Sequence, residues 1–428
     1  MERQYKDSGI EWIGRIPVEW KTERIKSLFV ERNERDCKGM TLLSVSQYFG
    51  IRPKSETDLA DSHIAVSYDD YKVVYKGDFV MNIMLAWNGS YAVSDYDGMV
   101  SPAYCVFKFR KDCSKKYFHY LLRTDGYPSA FKTLSRGVID SRLRLYPEQF
   151  YTFPVVVPSI REQQRIAKYL DEKCKEIDAL IALQEQMIAK LTDYKQSVIT
   201  EAVTKGLNPN AQLVPSGIDW IGDVPEGWRV MKVKHAANSF DKGNGITKEE
   251  VFINGNMPCV RYGEIYSKYQ NSFISCLSAT NIEIQKSPHY FHYGDILCAG
   301  TGELVEEIGK SIVYLGEDPC LAGGDIIVIS HHQEPTFFNY ALNSHYAQAQ
   351  KSKSKAKLKV VHISAFEIGS VYVVLPSLSE QRAIAEHLDI KCGEIDKVIE
   401  TKRQKIETLK EYKKSVIFEA VTGKTIID

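Results

Sequence analysis

The sequence predicts an α+β chain in which two α/β inserts are joined by two long helices that form an antiparallel coiled coil, with a pseudo-twofold internal repeat. Three observations predict it. Ser8-Gly9-Ile10-Glu11-Trp12-Ile13-Gly14, running on to Pro17 and Trp20, returns as Ser216-Gly217-Ile218-Asp219-Trp220-Ile221-Gly222 with Pro225 and Trp228. Pro158-Ser159-Ile160-Arg161-Glu162-Gln163 returns as Pro376-Ser377-Leu378-Ser379-Glu380-Gln381. The stretch after each of these carries apolar residues at matching positions, without a gap. A repeat of this size sets the architecture before any local reading does.

The elements follow in order: a short motif over 1–20, an insert over 21–157, a helix over 158–206, a linker and second motif over 207–228, a second insert over 229–375, and a second helix over 376–423. Ser159 with Glu162, and Ser377 with Glu380, have the spacing of a helix-opening capping box. From Ile160 to Lys205 there is neither Gly nor Pro. Apolar residues recur every three or four positions: Ile166, Leu170, Cys174, Ile177, Ile181, Ile188, Leu191, Tyr194, Val198, Ala202. The second stretch repeats them as Ile384, Leu388, Cys392, Ile395, Ile399, Ile406, Leu409, Tyr412, Val416, Ala420. This spacing makes a coiled-coil seam. A helix of about 45 residues is roughly 67 Å long. Gly206 and Gly423 stand where helix-ending glycines belong, and Gly393 is expected to soften the second helix. Two matching stripes in one chain bury each other best as an antiparallel pair; the alternative is that each packs on its own domain.

The inserts read differently. Short β-rich runs are broken by Gly, Asp and Asn: Tyr71–Tyr75, Asp78–Met81, Ala103–Phe107 and Asp325–Ile329, with helical stretches near 116–134 and 336–350. Each insert ends in a valine-rich strand (Pro154–Val157, Val371–Val374). Direct similarity between the inserts is thin, so the frame is expected to repeat while its content diverges.

Composition narrows the class. The chain has 428 residues, 44% hydrophobic and 26% charged, enough for two cores. Lys+Arg and Asp+Glu are 55 each, unlike a lone basic DNA binder, so any nucleic-acid contact must come from local patches or be shared with partners. No apolar run approaches the roughly 18 residues of a membrane span. The polar Met1-Glu2-Arg3-Gln4 start has no signal-peptide core, and nine cysteines without framework spacing fit free thiols. A cytoplasmic protein is expected.

Catalytic motifs are missing. Gly423-Lys424-Thr425 looks like the end of a phosphate loop, but Phe418 stands where its first glycine is needed. No G-x-G-x-x-G occurs. Asn208-Pro209-Asn210-Ala211 lacks the second proline and the aromatic residue of the amino-methyltransferase motif it resembles. Asp171-Glu172-Lys173 and Asp389-Ile390-Lys391 have a nuclease-like D-x-K form but fall on the helices, where solvated coiled-coil flanks are the plainer reading. His289 with His292, and His331 with His332, lack the further ligands of a metal site.

What remains are groups suited to nucleic acid. Lys351, Lys353, Lys355, Lys357 and Lys359 alternate with small or apolar residues; in an extended segment they would share one face and could track a phosphate backbone. Arg136, Arg142 and Arg144 cluster around Gly137. Base-edge readers would be polar side chains on loops: Ser46, Gln47, Tyr48, Arg52 and Lys54, and Trp87, Asn88, Ser90 and Tyr91, in the first insert; Lys242, Asn244, Arg261, Tyr262 and Glu264, with Thr301 and Glu303, in the second.

The twice-repeated Gly-Ile-(Glu/Asp)-Trp-Ile-Gly segment, the Pro-Ser-x-x-Glu-Gln helix opening and the helix ending Tyr-Lys-x-Ser-Val-Ile-x-Glu-Ala-Val-Thr (194–204, 412–422) resemble, in order and over nearly the full length, the specificity subunits of type I restriction–modification enzymes. The resemblance implies that 21–157 and 229–375 are target recognition domains, each reading one half of a bipartite, asymmetric site on double-stranded DNA, with the coiled coil setting the gap. It implies a non-catalytic chain that binds no cofactor and no metal. Two modification subunits would methylate adenine with S-adenosylmethionine, and a restriction subunit, where present, would use ATP and magnesium. Two other readings compete: a coiled-coil scaffold without DNA readout, which DNA retention would distinguish, and a stand-alone modification or restriction enzyme, which would need the missing cofactor motif.

Overall fold

The glycine- and proline-free stretch forms one continuous helix, Ile160–Lys205, and its repeat forms another, Leu378–Val421. The structure, a computed structural model, describes residues 3–35, 37, 39–57, 68–139, 142–353, 355 and 360–427. Both helices stop at a glycine in the left-handed region, Gly206 (φ 75°) and Gly423 (φ 72°), a conformation that costs a residue with a Cβ about 1 kcal/mol or more. Gly393 lies inside an unbroken helix. The two openings differ. Ser377 and Glu380 form the reciprocal capping box, Ser377 N–H donating to Glu380 Oε2 at 3.2 Å and Glu380 N–H to Ser377 Oγ at 3.4 Å. At the first helix only the Ser159 half forms. The Glu162 carboxylate is drawn off to the Trp20 indole N–H (2.9 Å) and to Arg3.

The chain divides into two units, Met1–Gln184 with Gln404–Asp428, and Glu185–Arg403. Each holds one insert, the start of one long helix and the end of the other. In the first unit Ile166 and Leu170 share a core with Ala420 and Val421, and Lys413 Nζ reaches Asp178 at 2.7 Å. In the second, Ile384, Leu388 and Cys392 share a core with Ile199, Ala202 and Val203, and Lys195 Nζ reaches Asp396 at 2.6 Å. Start against end in both units is an antiparallel pairing. The stripes therefore pack on each other and on the inserts at once, because helix and sheet residues belong to one core in each unit. The seam read from periodicity fails at one repeated position: Tyr194 and Tyr412 are 59% and 57% exposed. Spacing puts a residue on a stripe, but a tyrosine at its edge can turn its hydroxyl to water.

The inserts differ in sequence and in their outer layers, yet their central sheets share a strand order. The first sheet runs in the order Phe29–Arg32, Tyr104–Phe109, Phe79–Asn82, Tyr91–Val93, all antiparallel. The second runs Ala237–Lys242, Ile326–His331, Ile296–Ala299, Ser311–Tyr314, with Ser272–Phe273 added in parallel at the edge. The first four strands take the same order in both. Each is followed by a helix pair, Lys115–Leu122 with Gly126–Leu134 and Pro335–Asn343 with His345–Ser352. What differs is the outer layer: two hairpin-like pairs in the first unit, and a four-stranded sheet in the second.

The repeated motifs prove to be joints between insert and helix. Lys21–Arg24 pairs with Pro154–Val157, and Arg229–Lys232 with Tyr372–Leu375, clasping the two ends of each insert. Gln163 and Gln381 are buried. Each donates to the preceding proline carbonyl (Pro158, 2.9 Å; Pro376, 3.0 Å) and accepts the N–H that opens an insert helix (Ser114, Glu334; both 2.9 Å). Asp171 and Asp389, the nuclease-like aspartates, accept hydroxyl hydrogen bonds from Tyr120 (2.7 Å) and Tyr340 (2.8 Å), so their partners are structural.

Candidate nucleic-acid interface

In the first unit the candidate segments are tied together by a residue that the sequence did not single out. Arg123 follows the helix Lys115–Leu122. Its guanidinium donates to the carbonyls of Gln47 (2.5 Å), Tyr91 (2.7 Å) and Gly89 (3.3 Å). That clamp fixes the 46–49 turn against the 86–90 loop. Lys132 adds a cation–π contact to Trp87 (5.2 Å), and Leu145 N–H donates to Ile83 C=O at 2.9 Å, anchoring the loop that holds the arginines. An arginine just past a helix looks like any solvated helix end in sequence; its role depends on carbonyls supplied by distant turns.

On this scaffold Tyr48 projects with 85% of its surface exposed, and Arg52 is exposed beside Phe49 (5.6 Å). Lys54 is half-buried. Ser46 Oγ accepts the Tyr48 N–H at 3.1 Å, so its role is to shape the turn. Arg136 and Arg144 exchange backbone hydrogen bonds, both 2.9 Å. They close a loop whose apolar tip, Val138, is 98% exposed, with Arg142 exposed beside it.

Two candidates of this insert are corrected. Tyr91 is wholly buried and donates its hydroxyl to Leu122 C=O at 2.7 Å; burial pushes its phenol pKa well up. Ser90 is buried and bound to Asn88 Oδ1 at 2.7 Å. A strand begins at Tyr91 and carries its side chain inward. Asn88 serves the same turn, and Trp87 gives its indole N–H to Met84 C=O (3.0 Å) while remaining half-exposed.

In the second unit Lys242 is exposed with Asp325 at 3.5 Å. Asn244 donates its amide to Ser287 C=O at 2.7 Å. Asp325 C=O accepts from Gly300 N–H at 2.7 Å, and Gly323 N–H donates to Val260 C=O at 2.8 Å. These bonds gather 242–244, 260–262 and 300–303 around one glycine-rich turn. Tyr262 and Glu303 are exposed there, and Arg261 is half-buried. Glu264 is corrected: it is buried, accepting from Lys268 (2.7 Å), Ser278 Oγ (2.5 Å) and Arg261 N–H (3.0 Å). Burial opposes its charge, but those hydrogen bonds hold its pKa below the ordinary carboxylate value. Thr301 is corrected too, being buried against His362 Nδ1 at 3.0 Å.

The row of five lysines does not form. Lys351 ends the helix His345–Ser352, is buried, and donates to Gly309 C=O at 2.7 Å; burial lowers its pKa to about 8. Lys355 is tied to Glu367 and to His362 C=O. Lys353 lies over the Trp220 ring at 5.2 Å, and Lys357 and Lys359 lie outside the described residues. Alternation would give one face only in an extended segment, and here the helix runs to Ser352. The stretch nevertheless follows the second insert's helix pair just as Arg136–Arg144 follows the first's.

Replacing Arg123 with Ala is expected to remove a donor from three carbonyls, of which Gly89 C=O keeps the Tyr91 N–H, and to cost about 2–4 kcal/mol. Amide hydrogen exchange should rise at 46–52 and 86–91 and stay unchanged in the second unit. Protection lost evenly across the first unit would mean that Arg123 supports the core rather than the loops.

Among the described residues no group of three His, Cys, Asp or Glu is arranged to hold a metal ion, and no helix is long and apolar enough to cross a membrane. The family model of the type I restriction modification DNA specificity domain matches residues 17–193 and again 225–411. Over 96% of its length the chain is 25% identical to the type I restriction enzyme MjaVIII specificity subunit of Methanocaldococcus jannaschii, of which 94% is covered. It superposes with a TM-score of 0.69 on a chain from a structure described as the structural basis of complex assembly and conformational transition of the type I R-M system, covering 96% of this chain and 99% of that one at 15% identity, a likeness of fold. Two matches to one domain, laid over two units that share a strand order and a joint, settle the family: the chain belongs to the type I restriction–modification DNA specificity subunits.

Proposed function

We propose that each insert reads one half of a bipartite, asymmetric sequence in double-stranded DNA, while the paired helices set the gap and dock two modification subunits. The observation that carries this is that the two units hold different exposed side chains, Tyr48, Arg52, Arg136 and Arg142 in one and Lys242, Tyr262 and Glu303 in the other, on a shared strand order and joint. A common scaffold with different loops suits one task performed on two sequences. Leu183, Met187 and Tyr194 on the first long helix, and Ile390, Val398 and Tyr412 on the second, leave apolar surface uncovered, which supports helix-mediated docking. The chain contributes recognition and no chemistry. S-adenosylmethionine would enter with the modification subunits, and ATP with magnesium through a restriction subunit.

Sequencing of methylated DNA from cells expressing this chain with its modification subunit, against cells lacking it, tests the reading. A bipartite adenine-methylation motif that depends on this chain is the expected result. No new motif, with both proteins expressed and associated, would favour the scaffold. A matched heptad inserted into both helices, within 182–187 and 400–405, preserves the Asp178–Lys413 and Lys195–Asp396 pairs. It is expected to widen the gap by about 10 Å, or about three base pairs, with both half-sites unchanged.

A further inference from the structure

The two units differ at one matched position in a way that exposes a cavity. Tyr5 pairs with Pro17 in the first hairpin, and Leu213 with Pro225 in the second. Val18 N–H donates to Gln4 C=O at 3.1 Å, and Glu226 N–H to Gln212 C=O at 2.9 Å. The residue before each acceptor is Arg3 in one unit and Ala211 in the other. Arg3 sits over the Trp20 ring, 5.6 Å from its centroid, with Nη2 at 2.7 Å from Glu19 and a further ion pair to Glu162. Trp20 is fully buried.

In the second unit Ala211 cannot fill that place. Trp228 is only half-buried, and its indole N–H reaches Glu380 at a long 3.4 Å. A cavity of about 440 Å³ opens there, lined among others by Ala211, Glu226, Trp228, Glu380, Ile384 and Lys205. The second carboxylate is supplied by Glu226, the position of Val18, instead of by a counterpart of Glu19. Both acids are exposed; Glu380 Oε2 caps its own helix through Ser377 and Oε1 faces the Trp228 indole, and among the described residues neither acid forms an ion pair with Lys205 or another cation. The aromatic face and two carboxylates that hold a guanidinium in one unit are thus present without one in the other. A planar guanidinium suits them better than an ammonium, because it stacks on indole while donating in its own plane to carboxylates. An adjoining cavity of about 610 Å³ shares Lys205, Gly206 and Ala211 and runs to Tyr194 and Val198, so the site is continuous with the apolar helix surface assigned above to docking.

We propose that this cavity takes the guanidinium of an arginine carried by a modification subunit, the partner supplying to the second unit what Arg3 supplies to the first. The identity of the partner rests on the function proposed above. The first unit is closed by its own arginine, so the two docking events are unequal: one modification subunit gains an arginine anchor and the other does not.

The test uses the full chain and the purified modification subunit in calorimetric titration. Ala211→Arg places a guanidinium in the cavity in cis, and Glu226→Lys removes one carboxylate from an exposed turn where misfolding is not a concern. Each is expected to weaken one of the two binding events at least about tenfold, the range for losing a buried arginine anchor, and to leave the other unchanged. Ala211→Gln fills space without charge and should weaken binding less. Equal losses from Ala211→Gln and Ala211→Arg would assign the effect to shape and overturn the guanidinium. A wild-type chain that binds modification subunits while Ala211→Arg and Glu226→Lys bind equally well overturns the inference alone. A wild-type chain that binds none overturns the proposed function, and the inference with it.

Discussion

Replacing residues 21–157 with the corresponding insert of another specificity subunit is expected to change one half of the methylated sequence and leave the other half and the gap as they were. The expectation rests on how the insert is held. Its sheet residues Phe29, Phe79, Phe107 and Phe150 lie in one core with Ile166 and Leu170 of the first long helix, and polar contacts to the frame add to that packing. The polar contacts include the Ser114 N–H on Gln163 and the Tyr120 hydroxyl on Asp171, while the strand pair Lys21–Arg24 with Pro154–Val157 clasps the insert's own two ends. The second unit uses the same contacts with Glu334 and Tyr340. An incoming insert that keeps the tyrosine, the helix-opening N–H and the apolar residues packed on Ile166 and Leu170 should therefore dock without disturbing the helices. Methylated-DNA sequencing reads both halves together. A change in both halves would mean that the inserts do not read independently, and a changed gap would mean that the insert, and not the helix pair, sets the spacing.

The largest expected loss of stability comes from Trp20→Ala. Trp20 is fully buried, gives its indole N–H to Glu162, and lies against Arg3 and the turn at Gly423. Deleting a buried tryptophan costs about 3–5 kcal/mol in lost transfer energy and residual cavity. Here it also uncovers a carboxylate and loosens the N-terminal hairpin and the end of the second long helix. Trp228→Ala removes a ring that is already half exposed, and is expected to cost about half as much. Two units need not unfold together, so hydrogen exchange at 4–20 and 416–427 for the first variant, and at 200–228 for the second, measures each locally. Equal losses would show that Arg3 adds nothing to the burial of Trp20, and would weaken the case that its counterpart is missing from the second unit.

Sequence alone determined the frame. Helical periodicity and capping are local, set by residues three or four positions apart and by the glycine just beyond the last turn, so both long helices were legible to within a few residues. Antiparallel pairing followed from two matching stripes. The family was legible for a related reason: Trp20, Glu162, Gln163 and their repeats form joints that tolerate little change, and such joints leave a recognisable pattern.

Tertiary structure decided what the inserts are and which of their residues face solvent. Strand order depends on pairings across long stretches of chain, such as Phe29–Arg32 with Tyr104–Phe109, and two inserts with little sequence in common still reach one order because a sheet needs only apolar alternation. Burial of a loop residue depends on what the rest of the chain lays over it. Tyr91, Glu264, Thr301 and Lys351 have the polar groups of a DNA reader, yet each spends them on an internal partner, whereas Tyr48 and Arg142 remain exposed. Arg3 and Ala211 make the same point. In sequence they are an arginine and an alanine near two unremarkable hairpins; only the fold puts one over a tryptophan between two carboxylates and leaves the other beside an open cavity, because the indole, the acids and the helix end come from three separate parts of the chain.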